Sequence, residues 1–222
     1  MDVVEAIKSR KSIRAFLDKP VERKIIEEIL NCAVWAPSWG NTQPWEFLVV
    51  NGDLLKKIAD RNEEKFRAGE KPSPDLEMPE KWPEVYRSRY IAVGKALFIA
   101  MGIKRGDREA RERHYINMQR FYGAPCVIYI CIDSALVAHY ATLDVGAVTQ
   151  NICLVAPEYG LGTCIMAAAV HYPDIIRELT GLSEEKRLVL GIAIGYPDPE
   201  APANSFRSTR TPAEKITLWC GF

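Results

Sequence analysis

Five consecutive residues, Arg10-Lys11-Ser12-Ile13-Arg14, gather three cations and a hydroxyl where a short amphipathic segment stops. Such a set can hold a phosphate. Arginine presents a planar fork of donors that matches phosphate oxygens, lysine a mobile point charge, and serine one further donor. On a continuing helix Arg10 and Arg14 share a face at i, i+4. If the helix ends near Lys11, the backbone can curl and aim side chains and N–H groups at one anion. The same residues also fit a plain helix C-terminus, where cations complement the macrodipole and bind nothing. Taken alone they favour the plainer reading, and the residues further along the chain shift the balance.

The run Trp35-Ala36-Pro37-Ser38-Trp39-Gly40-Asn41-Thr42-Gln43-Pro44-Trp45 holds three tryptophans, two prolines and a glycine among Ser, Asn, Thr and Gln. Proline and glycine make it a rigid loop. Aromatic rings beside fixed amides and hydroxyls suit a planar heteroaromatic ligand, with rings on its faces and amides along its edge. For Trp45 the expected role is a plug in the core. For Ser38 and Asn41 a binding role stands at least level with a structural one, because loops carry function.

The elements that must position these groups come from a chain of 222 residues, one large domain or two small ones by length. With no internal repeat and no clean linker it reads as a single domain, 1–222. Its 29 basic and 29 acidic residues cancel, so there is no global field for nucleic acid or an anionic membrane, and any anion site must be local. The six cysteines form no CxxC pair and mostly sit in apolar company, which predicts buried thiols in a reducing compartment. The three histidines (His114, His139, His171) lack zinc-site spacing, so no metal is expected. The longest apolar run, 91–103, contains Lys95 and is too short to span a bilayer. No leader opens the sequence, and a soluble cytoplasmic protein is expected.

Asp2 is read as the cap of a helix carrying Val3, Val4, Ala6 and Ile7 that stops near Ser9 to Lys11. Ile13 to Phe16 reads as extended. A second helix follows Pro20 and ends before Pro37. Trp45 to Val50 is a strand, 53–66 a helix, and 68–83, with four prolines, a loop or lid. Helices are expected over 82–103, 108–121 and 136–156. Ala124 to Ile132 reads as a buried strand, Thr163 to Ala169 as a buried extended run, and 187–196 as a further strand. Pro173-Asp174 opens a helix that Gly181 ends. The tail, 198–222, is polar, contains proline and carries Arg207 and Arg210. The fold class is α+β with irregular, antiparallel strand order.

In this combination the chain resembles the FMN-dependent nitroreductase family over nearly its whole length. Four segments in order carry the resemblance: Arg10 to Arg14; Ala36-Pro37-Ser38-Trp39-Gly40-Asn41-Thr42-Gln43-Pro44-Trp45; the turn Gly160-Leu161-Gly162-Thr163 with the run after it; and Arg207-Ser208-Thr209-Arg210-Thr211-Pro212. The resemblance implies a mostly antiparallel sheet flanked by helices and an intertwined homodimer with FMN at the subunit interface. The tail, 198–222, would wrap the partner, and a substrate lid would lie within 66–121. Arg10, Ser12, Arg14 and Arg210 would bind the FMN phosphate and ribityl chain, with Lys11 assisting. Pro37, Ser38, Trp39 and Asn41 of the partner subunit would border the isoalloxazine ring. Met166, Ala167 and Ala168 would lay backbone against the flavin, one N–H reaching N5. Gln150 and Arg207 are further contacts. Ala167-Ala168 stands where many members have Gly-Gly or Glu-Gly, which narrows the approach to N5. The stretch 66–121 matches no motif.

The chemistry so implied is hydride transfer from NADH or NADPH to flavin N5, then to small planar electron-poor acceptors (nitroaromatics, quinones), by ping-pong turnover. The protein would need no nucleophile or triad. Other flavin chemistry on the same scaffold (enone reduction, reductive dehalogenation, flavin degradation) stays open, as does a non-catalytic FMN-binding protein.

Overall fold

The computed structural model describes residues 2–222. Asp2 caps the first helix, α1 (Val3–Ser9), by accepting the Glu5 N–H at 2.9 Å. Then come α2 (Arg23–Ala33), β1 (Glu46–Asn51), α3 (Gly52–Arg67), α4 (Glu84–Ala100) and α5 (Arg108–Gln119). The second half holds β2 (Cys126–Asp133), α6 (Ala138–Val155), β3 (Gly162–Met166), α7 (Pro173–Thr180), β4 (Lys186–Gly195) and α8 (Pro202–Ser205).

Four strands form one sheet in the order β1-β2-β4-β3, every neighbouring pair antiparallel. The central strand β2 is buried on both faces, as its unbroken apolar run requires. Its side chains alternate between two cores because strand residues alternate in direction. Val127, Tyr129 and Cys131 face one core, with Leu55 and Ile58 of α3 and Ile175 and Ile176 of α7. Cys126, Ile128, Ile130 and Ile132 face the other, with Ile26 and Ile29 of α2 and Val145, Val148 and Ile152 of α6. Trp45 plugs the α2–α6 core. The α+β class with an antiparallel sheet is as expected.

Two boundaries differ from the sequence reading. The extended run does not reach Ala169: β3 ends at Met166 and residues 167–170 close into a 3-10 turn. The small side chains allow this, because the turn folds over β4 so closely that a Cβ at Gly191 would stand 2.6 Å from the Ala169 Cβ. Helix α4 stops at Ala100, short of Ile103, where Gly102 takes φ +71°. The tail, read as polar and proline-containing, contains α8 and a 3-10 turn at Ala213–Lys215. Val3, Val4 and Ile7 of α1 are exposed rather than packed.

Candidate cofactor and substrate site

The basic segment leaves α1 as an extended strap against the edge strand β3. Ser12 bridges Thr163 in parallel, and the Ile13 N–H donates to the Thr163 carbonyl at 2.9 Å. The approach depends on Gly162, where a Cβ would overlap the Ile13 side chain and stand 2.8 Å from Pro197 Cγ. Further on, Leu17 N–H donates to the Tyr196 carbonyl at 2.8 Å and Asp198 N–H to the Ala15 carbonyl at 3.1 Å, so strap and β4 exit are stitched together.

The strap is anchored from the tail by Asn204, a buried residue of α8. Its Oδ1 accepts the Arg14 backbone N–H at 2.7 Å, and its Nδ2 donates to the Ala15 carbonyl at 2.8 Å and the Asp198 carbonyl at 2.9 Å. Lys11 Nζ donates to the Asn204 carbonyl. Arg207, at the start of the tail, donates to the Ser9 carbonyl at 3.4 Å.

The cations of the strap carry no carboxylate partner among the described residues. Arg10 is half-buried, and its Nε is shielded from solvent without a hydrogen-bond acceptor. Burial pushes the nearby Cys153 thiol up, while the Thr163 hydroxyl and the Arg10 charge oppose that rise. Arg14 Nη1 donates to the Ser12 carbonyl at 3.3 Å, and its guanidinium carbon lies 5.8 Å from the Phe206 ring centroid. Its charge acts on Tyr122, whose phenol burial pushes well above the usual range, and on Cys164, pushed up to about 11 by burial. Burial chiefly, with the Arg14 charge adding to it, holds His114 below the usual imidazole range.

Met166, Ala167 and Ala168 continue β3 beyond the strap, with Met166 and Ala168 buried and Ala167 exposed. Gln150 is half-buried on α6, one turn before Cys153 and beside Thr149, whose buried Oγ1 has no partner. One chain thus gathers Arg10, Lys11, Ser12, Arg14, Arg207 and the Met166–Ala168 backbone, with Gln150 on the adjoining helix. An uncompensated cation cluster flanked by two orphaned buried polar atoms, Arg10 Nε and Thr149 Oγ1, fits an anionic ligand with further hydrogen-bonding groups.

The tryptophan loop stands apart from this cluster, at the N-terminal half of α6. Pro37, Trp39 and Asn41 are exposed and Ser38 half-buried. Gly40, Asn41 and Gln43 take positive φ (54°, 59° and 47°), and Gln43 N–H donates to Ser38 Oγ at 2.9 Å. Trp39 is held from below: its N–H is shared by the two Asp144 carboxylate oxygens at 3.2 and 3.3 Å, and its ring meets Tyr140 edge-on at 4.3 Å. From Asp144 to Cys153 the helix climbs about 13 Å. Arg210 also stays out of the cluster. It is exposed, and folds onto Ser208 Oγ at 2.7 Å and the Thr209 carbonyl at 2.9 Å.

Sequence reasoning missed Asn204, Asp144, Tyr122 and His114. Asp144 had a signal: it is the one acid in the apolar stretch Leu143-Asp144-Val145. Asn204, in a polar tail, had none.

Beside the strap, α4 and α5 enclose a cavity of about 770 Å³. Phe98, Tyr115 and Met118 are among its apolar walls, and His114 lines the side nearest Tyr122 at 6.1 Å between ring centroids. Among the described residues no helix is long and apolar enough to cross a membrane.

The sequence profile of the nitroreductase family matches residues 7–196. A 4-nitrobenzoate reductase of Pseudomonas putida is 32% identical over 223 aligned residues, covering 100% of this chain and 96% of its own. A nitrobenzene nitroreductase of Ectopseudomonas oleovorans is 30% identical, with 97% and 95% covered. The crystal structure of an FMN- and NADPH-dependent nitroreductase, NfnB of a Sphigopyxis strain, superposes with a TM-score of 0.94 at 31% identity and 100% coverage of both chains. An FMN-dependent NfnB of Mycobacterium smegmatis, in complex with NADPH, gives 0.91 at 28%, covering 98% of this chain and 97% of its own. The strap, the tryptophan loop and all four strands fall inside the matched span, and the chain belongs to the nitroreductase family.

Proposed function

We propose that the protein is an FMN-dependent oxidoreductase that takes hydride from NADH or NADPH and reduces small electron-poor aromatics or quinones. The observation that carries this reading is the set of cations Arg10, Arg14 and Arg207, paired with no acid among the described residues, on and beside a strap seated against β3 at Thr163. Full-length similarity to nitroreductases described as FMN- and NADPH-dependent supports it.

Arg10 and Ser12, with Arg207 at the tail, hold the phosphate and ribityl chain. Lys11 assists with the N–H groups not given to Asn204. Arg14, set toward Tyr122 and Cys164, extends positive charge from the clamp toward the flavin ring, where donors and cations favour developing negative charge. Met166, Ala167 and Ala168 lay backbone along the ring, and Gln150 supplies a hydrogen bond from α6. When bound, FMN supplies the two-electron chemistry. Turnover is ping-pong: donor and acceptor occupy one face in turn. For a nitroarene the first balanced step consumes NAD(P)H and one proton, and gives NAD(P)+, the nitroso compound and water.

The reading includes a cytoplasmic homodimer with FMN at the interface, in which Pro37, Ser38, Trp39 and Asn41 of one subunit border the flavin held by the other and the tail wraps the partner. Arg210 reaches the phosphate within that assembly. Large apolar side chains left in solvent by the single chain support it. Trp35 is 87% exposed, Leu143 70% and Leu218 88%, large apolar side chains of the kind an interface covers.

The deciding experiment is a visible spectrum before and after anaerobic NADH or NADPH. A flavin band that bleaches, and returns on adding a nitroaromatic or quinone, is expected. Colourless protein that takes up no FMN would overturn the reading.

A further inference from the structure

The cavity between α4 and α5 has a charge pattern of its own. Lys95, Arg105 and Arg111 line it, and no Asp or Glu does. None of the three side chains makes an ion pair or hydrogen bond to any described residue. That sets them apart from Arg113 on the same helix, which pairs with Glu109 at 3.4 Å outside the cavity. Arg111 is the most constrained. Its guanidinium carbon stands 4.9 Å from the Phe98 ring centroid, and its Nε is shielded from solvent with no acceptor. A buried guanidinium N–H without a partner costs stability unless a ligand completes it. The remaining wall is apolar and aromatic, wide enough for a planar ring. His114 joins the cavity to the strap through Tyr122, on which the Arg14 charge acts.

We propose that this cavity seats the hydride acceptor, and that the acceptor class it selects is an aromatic carboxylate, its ring against Phe98 and Tyr115 and its carboxylate on Arg111, with Arg105 and Lys95 at the cavity's rim. The inference rests on the FMN reading only for the word acceptor; binding of the carboxylate does not need the flavin to turn over. Guanidinium and carboxylate match as two parallel N–H···O bonds, which a neutral amide of the same shape cannot reproduce. The selectivity belongs chiefly to the Arg111 charge, and ring stacking alone would not give it.

The test is calorimetric titration of the purified protein, with whatever flavin it carries, using benzoate and benzamide, neither of which is reducible here. Benzoate is expected to bind at least about tenfold more tightly, the size of one charge-assisted hydrogen bond. Arg111→Gln should bring the two affinities together, Arg105→Gln should narrow the gap, and Arg113→Gln, which removes the same charge outside the cavity, should leave it. Equal affinities in the parent protein, or a preference kept by Arg111→Gln, would overturn the proposal. A rise in KM for NADPH but not NADH in Arg111→Gln, with the benzoate preference kept, would overturn it too and assign the cations to the donor's phosphate. Flavin content, read from the visible spectrum of the same samples, separates the two claims. Absence of FMN sinks the redox reading, while the titration still decides the cavity.

Discussion

Asn204 Oδ1 accepts the Arg14 backbone N–H at 2.7 Å, tying a residue of the tail to the strap 190 positions earlier in the chain. The other two hydrogen bonds of the same amide hold Ala15 and Asp198. Asn204→Ala therefore removes three hydrogen bonds to half-buried backbone groups at once, of which only the Ala15 carbonyl keeps another donor, the Asp198 N–H. At about 1 kcal/mol each, the loss in unfolding free energy is about 2–3 kcal/mol, measurable by urea denaturation. FMN affinity should fall with it, because Arg14 loses its anchor. Asn204→Asp should be no milder, since a carboxylate would face two carbonyl oxygens.

Arg10→Ala and Arg14→Ala should each weaken FMN binding by about 1.5–3 kcal/mol, the worth of a hydrogen bond to a charged group. Arg210, exposed and folded onto its own neighbours, should lose less than either. Flavin-fluorescence titration reads all three. Unchanged affinity in both Arg10→Ala and Arg14→Ala would remove these residues from the site.

Gly162→Ala puts a methyl between Ile13 and Pro197, where both neighbours are held by backbone pairing. Overpacking of this kind costs about 1–3 kcal/mol. The strap should lift from β3, so stability and FMN retention should drop together. Gly146→Ala, where nothing lies within 4 Å, should do neither.

Asp144→Asn should loosen the tryptophan loop. The Trp39 N–H then loses a charged acceptor, worth about 1.5–3 kcal/mol. Because the loop belongs to the proposed interface, sedimentation should show a weaker dimer while the fold of the single chain, read by circular dichroism, is kept.

His114 and His171 are both held below the usual value of 6.5, each mainly by burial. The unfolded chain takes up these protons near pH 6.5, the folded chain only at lower pH. Between those limits the unfolded state binds more protons, so stability falls as pH drops through 6.5 and is flat above it. The acid-side carboxylates Asp174 and Glu178, also lowered, act further down the scale. Urea midpoints at pH 7.5 and 5.5 should differ, and His114→Gln should shrink the difference.

Most of this fold could be read in the sequence where one local signal dominates. The run Cys126 to Ile132 reads as a buried strand because it is short, β-branched and uninterrupted. Trp45 reads as core because it follows Pro44 into such a strand. The strap was legible as a candidate anion site because cations so close together are chemically distinctive. Asn204 was not, because its role depends on backbone groups at positions 14, 15 and 198, brought together by the meeting of strap and tail. Helix α4 hid its purpose for a different reason. Its apolar residues run all round, since one side lines a cavity and others, such as Val85 and Tyr86, stay in solvent in the single chain. The strand order β1-β2-β4-β3 is likewise set by long-range pairing that no local pattern encodes.

Asp144, under the tryptophan loop, and Cys153, beside the strap, lie on one helix, and in the proposed dimer each subunit would give its loop to one pocket and its strap to the other. Under the proposed pairing, a chain crippled at Asp144 and a chain crippled at Arg14 are each inactive alone in both of their pockets. Mixed in one cell, they would form hybrids in which one pocket draws its loop and strap from undamaged sources and the other inherits both lesions. Two dead alleles would then rescue each other, to at most half the activity of a normal pair per hybrid, whereas two alleles both damaged in the strap would not.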